Sequence, residues 1–171
     1  DTSMGFSALD GVPMATRCGA IDPGVLLHLI GTHGRTVQDV EDILYRRSGL
    51  LGVSGISADS RELLESDRTE ARQALDLFTF RIAGEVSRLA TTLGGLDAVI
   101  FTAGVGENQP RIRADICARL AWLGLKLDEP ANAANAAMIS SPFSRVTAFV
   151  IATDEEQVIA DETLSILDIR R

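Results

Sequence analysis

Apolar positions along the chain recur at two different spacings, and each spacing predicts a different kind of element. From Thr69 to Leu93 an apolar side chain returns every three or four residues, which is the period of an amphipathic helix. The members of this stripe are Ala71, Leu75, Phe78, Ile82, Val86, Leu89 and Leu93. The run "LDAVIFTA" has the unbroken apolar character that is typical of a strand buried on both faces of a sheet, and "RVTAFVIAT" is predicted to be a second strand.

Shorter helices are predicted between these elements. "AIDPGVLLHLI" places Asp22 before Pro23, an N-cap followed by proline at the first helical position. "TVQDVEDILYRR", "RIRADICARLAWLG" and "DEEQVIADETLSILDI" also have helical spacing, and Gly124 is a stop for the second of them. Because helices alternate with apolar strands, the pattern predicts an α/β layer structure.

Composition and charge narrow the function classes. The chain has 171 residues, of which 46% are hydrophobic and 23% charged, and its formal net charge is −8. A nucleic-acid-binding surface needs a basic face, and a bilayer span needs about 20 apolar residues in a row, so neither is predicted. The two cysteines, Cys18 and Cys117, lie far apart without metal-type spacing, which favours a reduced, cytoplasmic location.

The stretch "FTAGVGENQPRIR" has the strongest candidate chemistry. Gly104 and Gly106 follow a predicted strand and precede a predicted helix, where glycine permits unusual backbone angles and close approach by a ligand. A helix start at the carboxyl end of a strand is a frequent phosphate site in α/β proteins. A turn without any ligand explains the pattern equally well. Glu107 would repel phosphate unless Mg²⁺ or a ribose hydroxyl lay between them.

A second strand-to-helix junction, "TDEE", carries three carboxylates. Thr153 and Glu156 fit a capping box, and Asp154 and Glu155 favour the positive end of a helix by about 0.3–1 kcal/mol each. Carboxylates in this position also suit Mg²⁺. The local pattern alone favours the cap.

Arginine is the cation available for binding phosphate. Lys126 is the only lysine, and it lies outside any P-loop pattern. Arg17 precedes a capped helix, and Arg61 follows Asp59 in "GISADSREL". A guanidinium fork suits phosphoryl or carboxylate oxygens, whereas a solvated arginine and a helix cap are the simpler explanations.

Five blocks of the sequence resemble acetate kinases, in the order that this family has them. The blocks are "DTSMGF", "MATRCGAIDPG", "LLGVSGISADSREL", "DAVIFTAGVGENQPRIR" and "IATDEEQVIA", and together they span nearly the whole chain. The resemblance implies a ribonuclease-H-like domain of the acetate and sugar kinase, Hsp70 and actin superfamily, with a mixed sheet flanked by helices. It also implies transfer of a phosphoryl group between ATP and acetate, giving ADP and acetyl phosphate, with Mg²⁺ and usually in a homodimer.

The resemblance also implies a domain boundary and specific roles. Residues 1–171 match a single C-terminal nucleotide-binding domain, and the N-terminal domain, with its catalytic aspartate and histidine-bearing motif, is absent, so the isolated chain should be inactive. Arg17 matches an arginine that stabilises the transferring phosphoryl group. Asp59, Ser60 and Arg61 match a segment lining the nucleotide site, Gly104, Val105, Gly106, Glu107 and Asn108 match the loop that holds the nucleotide, and Glu155 matches the Mg²⁺-associated carboxylate.

Two alternatives stay open from the sequence. Ala8 stands where the family usually has a proline bordering the acyl pocket, so propionate or butyrate is an alternative acceptor. The same fold also serves proteins that bind nucleotide without transferring phosphate, so a non-catalytic nucleotide-binding or dimerisation module is the second class.

Overall fold

The computed structural model describes residues 2–168, apart from the side chains of Glu155 and Asp168. The helices are α1 Pro23–Gly31, α2 Val37–Arg46, α3 Gly49–Ser54, α4 Ser60–Glu65, α5 Thr69–Leu93, α6 Ala103–Asn108, α7 Pro110–Arg119, α8 Glu129–Ala133 and α9 Glu155–Asp168. The strands are β1 Ala98–Phe101 and β2 Thr147–Val150, and a 3₁₀ turn covers Ala121–Leu123. The predicted α/β class is confirmed.

The first two helices begin where their capping residues predict. Asp22 accepts a hydrogen bond from the Gly24 N–H at 2.8 Å, with Pro23 at the first helical position. Thr36 and Asp39 form a capping box, in which each side chain accepts from the other's backbone N–H. These caps satisfy amides that have no partner within the helix, which fixes where each helix starts.

Helix α5 is the scaffold of the domain, and its bounds agree with the sequence pattern. Ala71 and Leu75 are buried, and the helix packs against α3, α4 and α7. Leu93 departs from the predicted stripe, because its side chain is 74% exposed in the last turn, next to the left-handed C-cap Gly94. The stripe is therefore core packing over most of its length.

The two strands pair in parallel, with Ala98 opposite Thr147 and Phe101 opposite Val150. Isolated antiparallel bridges, Leu127 to Ser140 and Met138 to Phe149, extend the pairing, so the described sheet is mixed. The prediction that β1 is buried on both faces is wrong. Val99 and Phe101 belong to the core, whereas Ile100 is 56% exposed, because alternate side chains of a strand point to opposite faces.

Helix α9 begins one residue later than a Thr153 capping box requires. Asp154, rather than Thr153, caps the helix, since its Oδ1 accepts from the Gln157 N–H at 2.9 Å. The Thr153 N–H donates instead to the Glu107 carboxylate at 3.1 Å. The predicted Thr153–Glu156 box is therefore wrong in register, although a cap is present. Among the described helices, none is long and apolar enough to cross a bilayer.

Candidate functional site

A cavity of about 710 Å³ lies between α6 and the start of α4. Its lining includes Met14, Ala15, Leu50, Ala58, Asp59, Ser60, Arg61, Phe78, Gly104, Val105, Asn108 and Gln109. The volume is within the range of small-molecule and cofactor sites, about 300–1,000 Å³. The structure thus brings two segments more than 40 residues apart in the chain, both predicted to bind nucleotide, into the lining of one cavity.

The first side, here called the α6 wall, consists of Gly104, Val105, Asn108 and Gln109. The "GVGEN" segment forms the short helix α6 rather than an open loop, and Asn108 Nδ2 donates to the Gly104 carbonyl at 3.0 Å. The left-handed residue at this junction is Ala103, with φ 57°, and not a glycine. Unusual backbone angles therefore do not explain the glycine pair, and that prediction is wrong.

The two glycines of α6 serve close approach instead. A Cβ on Gly106 would lie 3.0 Å from the carbonyl carbon of Phe101, so this glycine lets α6 pack on the end of β1. A Cβ on Gly104 would meet no protein atom within 4 Å, and Gly104 lines the cavity. The bare backbone at Gly104 is consequently open to a ligand.

Arg113 on α7 holds the α6 wall in place. Its side chain is fully buried and donates five hydrogen bonds at 2.6–2.9 Å. Nη1 donates to the carbonyls of Gly106 and Glu107, and the remaining bonds go to Asn132 and Asn135. The guanidinium therefore satisfies carbonyls at the end of α6 and ties them to the region of α8.

Arg113 has no part in the predicted site, although the sequence contains a signal for it. Arg113 stands at helical spacing with Ile116, Cys117 and Leu120, all of them buried, so it occupies a core position of α7. Arginine is almost never fully buried unless its donors are satisfied. Burial lowers the pKa of the Arg113 guanidinium from its ordinary value. A cation within an apolar stripe thus indicates a buried polar network.

The second side, here called the α4 wall, consists of Asp59, Ser60 and Arg61. Asp59 caps α4 by accepting the Arg61 N–H at 2.8 Å, and the Arg61 guanidinium binds the same carboxylate through Nε and Nη2 at 2.6–3.1 Å. These hydrogen bonds from Arg61 lower the pKa of Asp59. Capping, the simpler explanation offered for this segment, is confirmed. The Arg61 side chain is 75% exposed, so it can exchange partners with a ligand.

The loop that carries Arg17 is fixed by the start of α3. The Leu50 and Leu51 N–H groups donate to the carbonyls of Met14 and Ala15 at 2.9 and 3.0 Å. Gly49 permits this contact: its φ is 61°, and a Cβ there would lie 2.1 Å from the Met14 carbonyl oxygen. This role of Gly49 was not predicted from the sequence.

The Arg17 side chain is partly buried beside this loop. Its Nη1 lies 3.6 Å from the sulfur of Met14, which lines the cavity, whereas Arg17 is outside the lining. Across the described side chains, no carboxylate forms an ion pair with Arg17. The structure therefore places this cation near the cavity, with its charge available to an anion.

Glu107 lies on the far side of α6 from the cavity, together with Gly106. Its carboxylate accepts from the Thr153 backbone N–H at 3.1 Å and lies 3.5 Å from the Thr153 hydroxyl. This contact joins α6 to the connection between β2 and α9. Glu107 thus has a protein partner, which explains a carboxylate in this segment without Mg²⁺ or a ribose.

The metal prediction rests on Glu155, whose side chain is outside the described part of the structure. Glu155 is the first residue of α9, directly after Thr153 and Asp154. Among the side chains that are described, no group of three or more histidines, cysteines or carboxylates is placed to hold a metal ion. The Glu155 assignment therefore stays a prediction.

The cysteines do not contribute reactive groups. Cys18 and Cys117 are both free thiols. Burial raises the pKa of Cys117 to about 12 and also raises that of Cys18. Both groups remain protonated at neutral pH, and a protonated thiol is a poor nucleophile.

A second groove, of about 700 Å³, lies between α4, α5 and α7 and contains none of the predicted site residues. Four of its charged side chains form two ion pairs with one another. Arg119 contacts Asp76, and Arg111 Nε lies 3.5 Å from Asp115 Oδ2. The cavity between the α6 and α4 walls is therefore the better candidate site.

Comparison with known proteins gives the family. A sequence model of the acetokinase family matches residues 1–161. The chain belongs to the acetokinase family. It is 50% identical over 167 residues to the acetate kinase of Methylocella silvestris, covering 98% of this chain and 41% of that protein. It is 48% identical over 166 residues to that of Rickettsia akari, covering 97% and 43%.

Solved structures of the family have the same fold. The acetate kinase of Porphyromonas gingivalis superposes with a TM-score of 0.88 at 37% identity, covering 96% of this chain and 43% of that one. A propionate kinase from Francisella tularensis superposes with a TM-score of 0.90 at 38% identity, covering 95% and 42%. The chain thus spans about two fifths of the length of the acetokinases that it matches.

Proposed function

We propose that residues 1–171 form the C-terminal nucleotide-binding domain of an acetate kinase. The whole enzyme transfers a phosphoryl group between ATP and acetate to give ADP and acetyl phosphate. The observation that carries this proposal is the meeting of the α6 and α4 walls across one cavity of about 710 Å³. The proposed reaction is that of the acetate kinases to which this chain is similar.

The arrangement suits phosphoryl transfer, which depends on positioning and charge stabilisation more than on covalent chemistry. The open backbone at Gly104 lets the nucleotide approach α6 closely. Arg61 is exposed and able to bind a nucleotide oxygen, and Arg17 supplies an unpaired cation for the transferring phosphoryl group. Glu155 would be among the ligands of Mg²⁺, which would neutralise phosphate charge.

The proposal includes partners outside this chain. The catalytic aspartate and the histidine-bearing motif belong to an N-terminal domain, so the 171 residues alone should not turn over. A homodimer and a cytoplasmic location are expected for the whole enzyme. These expectations come from the family resemblance and from the two reduced cysteines.

Propionate is the alternative acceptor, and the similarity to one propionate kinase structure supports it only weakly beside the acetate kinases that are 48–50% identical to this chain. The chain resembles a propionate kinase structure as closely as it resembles an acetate kinase structure. Ala8 leaves more room than the proline that is usual beside the acyl pocket. Comparison of kcat/KM for acetate, propionate and butyrate in the full-length enzyme decides between the acids.

A non-catalytic nucleotide-binding module is the alternative from another class. Such a module needs the cavity but has no use for an unpaired arginine beside it. Assay of acetyl phosphate formation by a full-length enzyme carrying this sequence separates the two. Turnover that depends on ATP and acetate supports the kinase, and nucleotide binding without turnover supports the module.

The test of the cavity itself is a calorimetric titration of the 171-residue chain with ADP, with and without Mg²⁺. Circular dichroism first establishes that the sample is folded. Saturable binding, abolished by Gly104→Leu, places the nucleotide between the two walls. Binding that survives this substitution would contradict the assigned site. A folded chain that binds no ADP would show that the site requires the N-terminal domain.

A further inference from the structure

The two histidines of the chain, His28 and His33, lie against each other at the end of α1. Their Nε2 atoms are 3.1 Å apart, and the rings are nearly perpendicular, with centroids 4.8 Å apart and an angle of 84° between the planes. Both residues are exposed, and neither belongs to the lining of the cavity between the α6 and α4 walls. The proposed function therefore leaves this pair unexplained.

The backbone holds the two histidines in this position. His28 is in the last turn of α1, and its carbonyl accepts hydrogen bonds from the N–H groups of Thr32 and His33 at 2.9 and 3.2 Å. The Arg35 N–H donates to the Leu29 carbonyl at 3.1 Å, which closes the same turn. Because the backbone is already fixed, only the two side chains need to be ordered when both rings bind one ligand.

The spacing of the two nitrogens matches that of a chelating pair. Zn²⁺ binds imidazole nitrogen at about 2.0–2.1 Å, so nitrogens 3.1 Å apart subtend about 95–100° at one ion, between the octahedral and the tetrahedral angle. The second torsion of histidine is broad, so a small rotation of these exposed rings turns both lone pairs towards one ion. Two histidines one helical turn apart chelate zinc in the same way in the H-E-x-x-H motif.

A hydrogen bond between the rings is the competing explanation. Neutral histidine carries one ring proton, so in the hydrogen-bonded pair one Nε2 donates to the other. When both rings carry that proton on Nδ1 instead, the two Nε2 lone pairs are free to bind a shared ion. The negative end of the α1 dipole lies beside the pair and favours a cation there. Among the described residues no third histidine, cysteine or carboxylate joins the pair, so water completes the coordination.

We propose that His28 and His33 form a two-histidine site for a divalent transition-metal ion of the zinc type. Imidazole suits Zn²⁺, Cu²⁺ and Ni²⁺, whereas Mg²⁺ prefers oxygen ligands, so this site is chemically separate from the proposed Mg²⁺ site. The bound ion joins the last turn of α1 to the connection that leads to α2. This inference does not depend on the proposed nucleotide-binding function.

The experiment is a calorimetric titration with Zn²⁺ of the metal-free 171-residue chain and of a full-length enzyme carrying this sequence, both without an affinity tag. His28→Gln and His33→Gln should each weaken the binding of one Zn²⁺ per chain by at least about tenfold, because even a group behind a metal ligand contributes about 10–100-fold to affinity. The double variant should lose little more than either single variant, since both rings bind the same ion. Arg35→Gln, at an exposed neighbouring residue, is the matched control and should retain the affinity.

Two further measurements separate metal binding from the hydrogen bond alone. Excess Zn²⁺ should raise the Tm of the wild type but not that of either histidine variant, and Mg²⁺ at the same concentration should have no such effect. In the 171-residue chain the ring C–H resonances of His28 and His33 should shift together as Zn²⁺ is added. Without metal the variants should match the wild-type Tm closely, because both side chains are exposed.

Several outcomes would overturn the inference. One is Zn²⁺ binding that survives the loss of either histidine, and another is a folded sample that binds no Zn²⁺, in which case the pair forms only a hydrogen bond. Binding by the shorter chain but not by the full-length enzyme would show that another part of the enzyme covers the pair. If the shorter chain does not fold, the full-length titration decides alone. The proposed nucleotide site is tested separately with ADP and is unaffected by these results.

Discussion

The two walls of the cavity are built in opposite ways. The α6 wall is held from behind by a fully buried cation, Arg113, whose five hydrogen bonds include both Gly106 and Glu107 carbonyls. The α4 wall holds itself at the surface, through the Asp59 cap and an exposed Asp59–Arg61 pair. Buried, fully satisfied networks rigidify a structure, whereas exposed ion pairs contribute little to it.

This difference suggests that the two walls have different roles in the proposed site. A rigid wall suits recognition by shape and backbone, because its geometry does not change when the ligand arrives. An exposed guanidinium that already binds one carboxylate can transfer to a nucleotide oxygen at small cost. Arg17 combines the two features, since its loop is bonded to the start of α3 and none of the described carboxylates forms an ion pair with its guanidinium. Substitutions in the two walls should therefore affect different quantities.

The largest effect is expected at Arg17. In the full-length enzyme, Arg17→Ala should lower kcat on the order of 10³-fold, by analogy with arginines that stabilise phosphoryl transfer. Tm should change little, because the Arg17 carbonyl accepts from the Met14 N–H within the loop, whereas the Arg17 side chain makes only a long contact with the Met14 sulfur. Steady-state kinetics and calorimetry on one preparation test both parts. A loss below tenfold would contradict the assigned role, and Arg35→Ala, at an exposed arginine, is the matched control.

Arg113 should show the opposite profile. Arg113→Met keeps the length but leaves buried carbonyls unpaired, which should cost about 2–4 kcal/mol and lower Tm by several degrees. Since the α6 wall loosens, KM for ADP should rise by about tenfold or more, with a smaller effect on KM for acetyl phosphate. Arg113→Lys keeps the positive charge but has fewer hydrogen-bond donors, so its losses in Tm and in ADP affinity should be smaller than those of Arg113→Met. Equal increases in the two KM values would show that Arg113 acts on the fold alone.

Elements that depend on local spacing were predicted correctly from the sequence, whereas features that depend on distant contacts were not. Helix α5, the capped start of α1 and the two strands follow from local periodicity and caps, and their predicted positions are confirmed. The exposure of Ile100 could not be predicted, because local hydrophobicity does not reveal which face of a strand is covered. The register of the α9 cap was missed because the Thr153 N–H donates to Glu107, a residue distant in the chain, which local spacing does not reveal.

The candidate site shows the same difference between predictable and unpredictable features. The resemblance to acetate kinases selected the two segments that contribute to the cavity lining, residues 59–61 and 104–108, whereas residue type and spacing alone favoured a helix cap at the first and left a ligand-free turn open at the second. The devices that position them, Arg113 and Gly49, depend on contacts between residues distant in the chain. Packing and buried hydrogen bonds between distant segments cannot be predicted from local spacing. The sequence indicates them only indirectly, as by an arginine within the apolar stripe of α7.

Substitution of Glu155 is expected to have a smaller effect than substitution of Arg113. Glu155 lies next to the contact between Glu107 of α6 and Thr153, in the connection between β2 and α9. If Glu155 helps to bind Mg²⁺, Glu155→Ala should raise the Mg²⁺ concentration for half-maximal activity by about tenfold, and excess Mg²⁺ should restore kcat. Asp161→Ala, another carboxylate of α9, is the control and should leave the Mg²⁺ requirement unchanged. A lowered Tm with an unaltered Mg²⁺ requirement would show that Glu155 favours only the helix start.

The smallest effect is expected from the surface pair of the α4 wall. Hydrogen bonds from Arg61 depress the pKa of Asp59, so this carboxylate favours the folded state above its unfolded pKa, and that contribution is lost as the pH falls through the folded value. Asn is also a good N-cap, so Asp59→Asn should lower Tm by only about 1–2 °C at neutral pH, and the difference should shrink as the pH falls below the ordinary carboxyl pKa and through the depressed pKa of Asp59. Thermal scans of wild type and variant from neutral pH into the acid range measure this convergence. A Tm difference that did not shrink as the pH fell would mean that Asp59 stabilises α4 through contacts other than its charge, and the α4 wall would then be as firmly built as the α6 wall.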